Sequence, residues 1–127
     1  MRAMIIYVMG NSMVKIDSLP IKILPLLKKT NKAEFVEIDP SEDFKPKDKT
    51  MTIIDTVIGI KDVMLINNID KIELNNVCSL HDFDLGYNLK LMKKFGMIEK
   101  VNIIGVPPDI NEKEAVSKIN KIIKNLE

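Results

Sequence analysis

The sequence predicts an α/β fold, a three-layer sandwich in which a mainly parallel sheet lies between helices, within one domain spanning residues 1–127. Two observations predict it. Continuous apolar runs closed by turn residues, at 4–9, 51–54 and 101–106, have the form of strands buried on both faces. Between and after them lie segments whose apolar residues recur at helical spacing, and strands that alternate with helices build parallel sheets covered on both sides.

The first run, Met4-Ile5-Ile6-Tyr7-Val8-Met9, ends at Gly10-Asn11, a strand entering a tight turn. Asp17-Ser18 then offers a helix N-cap ahead of Leu19, Ile23, Leu26 and Leu27, with Pro20 acceptable in the first turn and Lys28-Lys29 suited to the negative end of the helix dipole. Pro25 conflicts with one continuous helix, since an interior proline removes a hydrogen bond and costs about 3 kcal/mol. The helix is therefore expected to kink there or to start later than Ser18.

Ala33 to Ile38 alternates as a strand and is broken by Asp39-Pro40-Ser41-Glu42, and the charged segment from Phe44 to Lys49 is a surface loop. Met51-Thr52-Ile53-Ile54 is a buried strand with Asp55 at its C-terminal end. Residues 62–66 and 69–74 look like two short strands around Asn67-Asn68, an antiparallel pair at a sheet edge. From Asp84, a cap, Leu85, Leu89, Met92 and Phe95 mark an amphipathic helix that Gly96 ends in the left-handed conformation. Val101 to Val106 is a buried strand, and Asn111 caps a final helix carrying Val116, Ile119, Ile122, Ile123 and Leu126, with acidic Glu114 at its third position.

Composition narrows the function. Nineteen Lys and Arg against eighteen Asp and Glu give a formal charge of +1 with both signs dispersed, so no basic face calls for nucleic acid. The apolar start is too short to span a membrane and lacks the form of a secretion signal, so the expected location is the cytoplasm. Cys78 is the only cysteine and is read as buried filler. Gly10 lacks the companion glycines of a dinucleotide fingerprint, and neither a phosphate loop nor a Gly-x-Ser-x-Gly elbow occurs.

In a mainly parallel sheet, the connections leaving the strand C-terminal ends gather at one edge, and ligands bind where the strand order reverses. Asp17 follows the first strand, Asp39 the second, and Asp55 ends the third, so three acids are delivered to that edge. His81, the only histidine, needs a loop to join them. Two carboxylates and an imidazole with open positions suit a divalent transition ion such as zinc, nickel or manganese. Taken singly, Asp17 is a helix cap and Asp55 a turn residue; their joint placement favours a site. Because only the neutral ring binds metal, affinity is expected to fall as pH drops through the imidazole range, near ~6.5.

These residues resemble the hydrogenase maturation endopeptidases, which process the large subunit of nickel-iron hydrogenases. Four blocks carry the resemblance in order: Gly10-Asn11-Ser12-Met13-Val14-Lys15-Ile16-Asp17, Ile53-Ile54-Asp55, Ser79-Leu80-His81 with the helix that follows, and Ile103-Ile104-Gly105-Val106-Pro107-Pro108-Asp109. The resemblance implies a twisted five-stranded sheet and a metal site of Asp17, Asp55 and His81. It also implies that the nickel is carried by the precursor subunit, whose C-terminal extension is then removed. Gly10 and Asn11 would shape the first loop, and Asp39 would bear on substrate selection. The chain departs from the family's pattern at Ile16, at Pro20, and at Asp39-Pro40-Ser41-Glu42, where relatives carry glycines. Besides a nickel-recognising endopeptidase, two readings stay open: a non-catalytic, chaperone-like metal-binding module of the same fold, and an α/β domain whose acids only cap and turn the chain. The residues do not single out a water-activating group.

Overall fold

A computed structural model describes residues 4–10, 13, 15–38, 48–67, 78–79 and 92–127, with backbone alone at 16, 78 and 79. The strands are β1 (Ile5–Val8), β2 (Glu34–Glu37), β3 (Thr50–Ile58), β4 (Met64–Ile66), β5 (Cys78–Ser79) and β6 (Lys100–Val106). The helices are α1 (Leu19–Lys22), α2 (Leu24–Thr30) and α3 (Glu112–Leu126), with a 3-10 turn over Lys15–Asp17. The main sheet has the order β2-β1-β3-β6-β4. Pairings β1–β2, β1–β3 and β3–β6 are parallel, and β4 is an antiparallel edge strand on β6. This is the expected mainly parallel sheet of five strands.

The continuous apolar runs are explained by burial on both faces. Alternate residues point to opposite sides of a strand, and here both sides meet a core. Ile6, Val8, Ile54, Ile104 and Val106 pack with Leu19, Ile23 and Leu27 of the α1–α2 segment and with Val116, Ile119 and Ile123 of α3. Ile5, Tyr7, Met9, Ile53 and Ile103 pack on the other face with Met92 and Ile98. Met92 lies in the helical residues 92–94. Their end is a Schellman arrangement: Met97 N–H donates to Met92 O at 2.9 Å and Gly96 N–H to Lys93 O at 3.2 Å, with Gly96 at φ +74°. Gly96 thus stops this helix as expected, while residues 84–91 lie outside the described ones.

The conflict at Pro25 is resolved by a break. The chain forms two short helices separated at Ile23, and each proline falls in a first turn, where its missing N–H costs nothing. Ser18 occupies the N-cap position of α1 but does not cap with its side chain. It is already in helical conformation, with φ −93° and ψ −20°, because the 3-10 turn runs straight into the helix. Its hydroxyl turns back and donates to Lys15 O at 2.8 Å. Asn111 does cap: its Oδ1 accepts from Lys113 N–H at 3.0 Å and Glu114 N–H at 3.2 Å.

Two expectations at the sheet are corrected. Asp55 is not the last residue of its strand; β3 runs on to Ile58 because the parallel ladder with β6 continues through Thr56 opposite Val106. The 62–66 segment is shorter, as β4, and pairs with β6, while 69–74 lies outside the described residues. Cys78's side chain lies outside them as well.

An exposed ionic cluster ties the approach to β4 onto α3. Lys118 Nζ lies 2.6 Å from both carboxylate oxygens of Asp62 and 2.9 Å from Glu114 Oε1. The hydrogen bond from Lys118 holds the Asp62 carboxyl below its usual range, and the bond to Asp62 raises the Lys118 ammonium. A depressed carboxylate contributes above the unfolded range, near ~3.9, and loses its contribution as pH falls through the lower folded value. The raised ammonium contributes below its unfolded range and is lost only as pH rises beyond it. Asp62→Asn is therefore expected to lower the melting temperature slightly at neutral pH and low salt, and to match the wild type near pH 2 or in molar salt. Thermal denaturation at two pH values and two salt concentrations checks this.

Candidate functional site

β1 has β2 on one side and β3 on the other, so the strand order reverses between β1 and β3, the place where open α/β sheets bind ligands. Asp17 and Asp55 flank that place. Asp55 stands on β3 one residue beyond Ile54, which pairs with the last residue of β1, Val8. Met9 N–H donates to Ile54 O at 2.9 Å, one of the backbone bonds of that parallel Val8–Ile54 pair. The Asp55 carboxylate is fully buried. It shares a face with Met51 and Ile53, the face on which Tyr7 and Met9 pack.

Asp17 reaches the same edge through Gly10. A Cβ on Gly10 would meet Asp17 O at 3.1 Å and Ile21 Cγ1 at 3.0 Å, so the bare glycine lets the chain fold back over the end of β1. The 3-10 turn then carries Asp17, which is 4 % exposed, into α1, and α1 lies against β3. Buried carboxylates are uncommon because each must replace its water with other partners. Two of them at one switch point are the chemical signature of this edge.

Sequence reasoning did not single out Thr56. It follows Asp55 in β3, faces the opposite side of the sheet, and is fully buried. Among the described residues its hydroxyl has no hydrogen-bond partner. A threonine late in a strand satisfies ordinary β propensity, so nothing in the sequence marked it.

Among the described residues no three His, Cys, Asp or Glu side chains gather as a metal-binding group. His81, Asn11 and Asp39 lie outside them. The neighbouring β5 pairs antiparallel with the end of β3, Cys78 opposite Ile58 and Ser79 opposite Val57, so its chain direction at Ser79 is toward the Asp55 end. Asp109, at the turn after β6, is exposed. A separate polar cavity of about 350 Å³ lined by Thr30, Asn31, Lys32, Asn120, Lys124 and Glu127 lies where α2 and α3 end. Among the described residues no helix is long and apolar enough to cross a membrane.

No family model matches the chain, and no curated protein does. Solved structures do. The hydrogenase maturating endopeptidase HybD from E. coli superposes with a TM-score of 0.64 at 16 % identity, covering 97 % of this chain and 89 % of that one. The hydrogenase 3 maturation protease superposes with a TM-score of 0.67 at 21 % identity, covering 98 % and 92 %. The shared architecture extends over nearly the full length of each chain: this protein has the fold of the hydrogenase maturation proteases.

Proposed function

We propose that the protein is a maturation endopeptidase that recognises nickel in the precursor of a nickel-iron hydrogenase large subunit and removes the precursor's C-terminal extension. The observation that carries this reading is the burial of Asp17 and Asp55 beside the β1–β3 switch point of a fold shared with two maturation proteases. In this proposal Asp17, Asp55 and His81 take the substrate's nickel, and two carboxylates with one imidazole are a donor set suited to a borderline divalent ion. In the same proposal the precursor's peptide lies at the C-terminal edge of the parallel strands, beside the bound ion. A cation so held can polarise the scissile carbonyl as a Lewis acid, and the protein's own part is to orient that peptide. Gly10 shapes the loop that brings Asp17 in, with Asn11 beside it in sequence, and Asp39 bears on the choice of substrate.

The test is supply of this protein, with its cognate precursor, to cells lacking their own processing enzyme. A shortened large subunit on a gel is the expected result, with no shortening when His81→Ala is supplied instead. Nickel-dependent capture of the precursor without any shortened product would replace the protease with a non-catalytic, chaperone-like module. Neither capture nor shortening would leave an α/β domain whose acids only shape the chain.

A further inference from the structure

Gly105 is the partner of Asp55 in the parallel ladder between β3 and β6, and the two share a face of the sheet. A side chain at 105 would therefore start one strand spacing, about 4.8 Å, from that of Asp55. Its place is taken. A Cβ on Gly105 would meet Val57 Cγ2 at 3.0 Å, Val57 Cβ at 3.3 Å and Ile60 Cδ1 at 3.3 Å. Val57 follows Asp55 by two residues on the same face and is 1 % exposed. Ile60 reaches the same spot after Gly59, at φ +96°, has turned the chain at the end of the strand. The ladder with β6 ends at Thr56, and from Val57 onward β3 pairs with β5 instead. Gly105 thus lies where β3 parts from β6, and side chains from the end of β3 and the turn after it fill the slot beside a buried carboxylate.

We propose that Gly105 is a positioning residue: bare of a side chain, it seats Val57 and Ile60 against the β6 side of Asp55 and so directs the Asp55 carboxylate toward β1, where the strand order reverses. The inference rests on the reading of Asp55 as a nickel ligand. Val57 transmits the effect because its Cβ is fixed to the backbone and a branched side chain is stiff at χ1, so any shift of Val57 is taken up by the strand that carries Asp55. Ile60 touches the slot with the free end of its side chain, which can yield. The requirement also accounts for a glycine inside a strand, where it otherwise weakens the sheet and marks a close approach. Supports that hold a ligand without touching the ion lower metal affinity by about 10–100-fold when lost.

The experiment is calorimetric titration of the full chain with nickel chloride for the wild type, Gly105→Ala, Val57→Ala and the double variant, with circular dichroism at the titration temperature to show that each is folded. Gly105→Ala overfills the slot and Val57→Ala empties it, and each is expected to weaken nickel binding about tenfold or more. In the double variant the new methyl takes the room that Val57 Cγ2 held, so affinity is expected to return to within about threefold of the wild type. Two independent packing losses would add instead of cancelling. Single variants that bind within about twofold of the wild type overturn the positioning role and leave Asp55 standing as a ligand. A double variant that binds no more tightly than the single ones points to packing alone and also overturns the proposal. If Gly105→Ala does not fold, the same decision is read from Val57→Ala and the double variant. A wild type that takes up no nickel overturns the preformed site, and the role of Gly105 with it.

Discussion

Asp55→Asn is expected to abolish processing of the precursor, by at least about 100-fold, while the protein stays folded. The amide keeps the size of the carboxylate, so the buried position on β3 stays filled and the ladder to β6, made by backbone groups, is untouched. What disappears is the negative charge that the proposed function assigns to holding the ion, and a neutral amide oxygen is a much poorer ligand for a divalent transition metal. His81→Ala is expected to have an effect of the same order, because it removes the imidazole donor that the proposed function assigns to the ion. Gel analysis of the precursor after co-expression reads the activity, and circular dichroism shows whether the variant is folded. Full processing by folded Asp55→Asn would remove Asp55 from the chemistry and return it to the role of a strand residue.

Ile54→Ala is expected to be the most damaging single change to the scaffold. Ile54 is fully buried at the centre of the helical-side core, between Val8 on β1 and Ile104 on β6. Removing a buried aliphatic side chain at such a place costs about 2–5 kcal/mol, from lost burial and from the cavity left behind. Domains of this size have about 5–15 kcal/mol in all, so the change takes a large share of the stability. Chemical denaturation should show the midpoint falling with little change in slope. A shift equivalent to less than about 1 kcal/mol would mean that the layers close over the gap and that the sheet is less tightly sandwiched than its packing indicates.

The parts of the fold that could be read from the sequence are those in which local pattern and tertiary surroundings agree. β1, β3 and β6 are legible because a strand covered on both faces can tolerate few polar residues, and their paired isoleucines divide between the two cores. α3 is legible because its apolar spacing and its Asn111 cap are both local. The break at Ile23 was only half legible: Pro25 ruled out a regular helix, but the burial of Leu19, Ile23, Leu24 and Leu27 together decided that two short helices should replace it. The length of β3 was not legible at all. Asp55 resembles a strand breaker locally, and only pairing with distant strands keeps the backbone extended beyond it: β6, about fifty residues away, through Thr56, and β5 at Val57 and Ile58. β5 is two residues long, too short to carry a periodic signal, and the partner of β4 is equally a matter of long-range pairing.

The candidate site divides in the same way. Parallel-sheet topology alone brings Asp17 and Asp55 to one edge, and both are found buried there. How Asp17 arrives, by folding back across Gly10, depends on a close approach of backbone that a single glycine in a sequence does not reveal. Thr56 escaped notice because its residue type is ordinary for its strand; what marks it is burial without a hydrogen-bond partner among the described residues. Asn11, Asp39 and His81 lie outside the described residues, and the His81→Ala variant tests the last of them.

The most direct test of the proposed activity is made with two purified proteins: this one, and its precursor prepared in nickel-loaded and nickel-free forms. Mass spectrometry of the large subunit after incubation should show loss of a C-terminal peptide from the nickel-loaded precursor and none from the nickel-free precursor. Cleavage of both forms alike would contradict recognition of nickel, and an intact loaded precursor would contradict the protease itself.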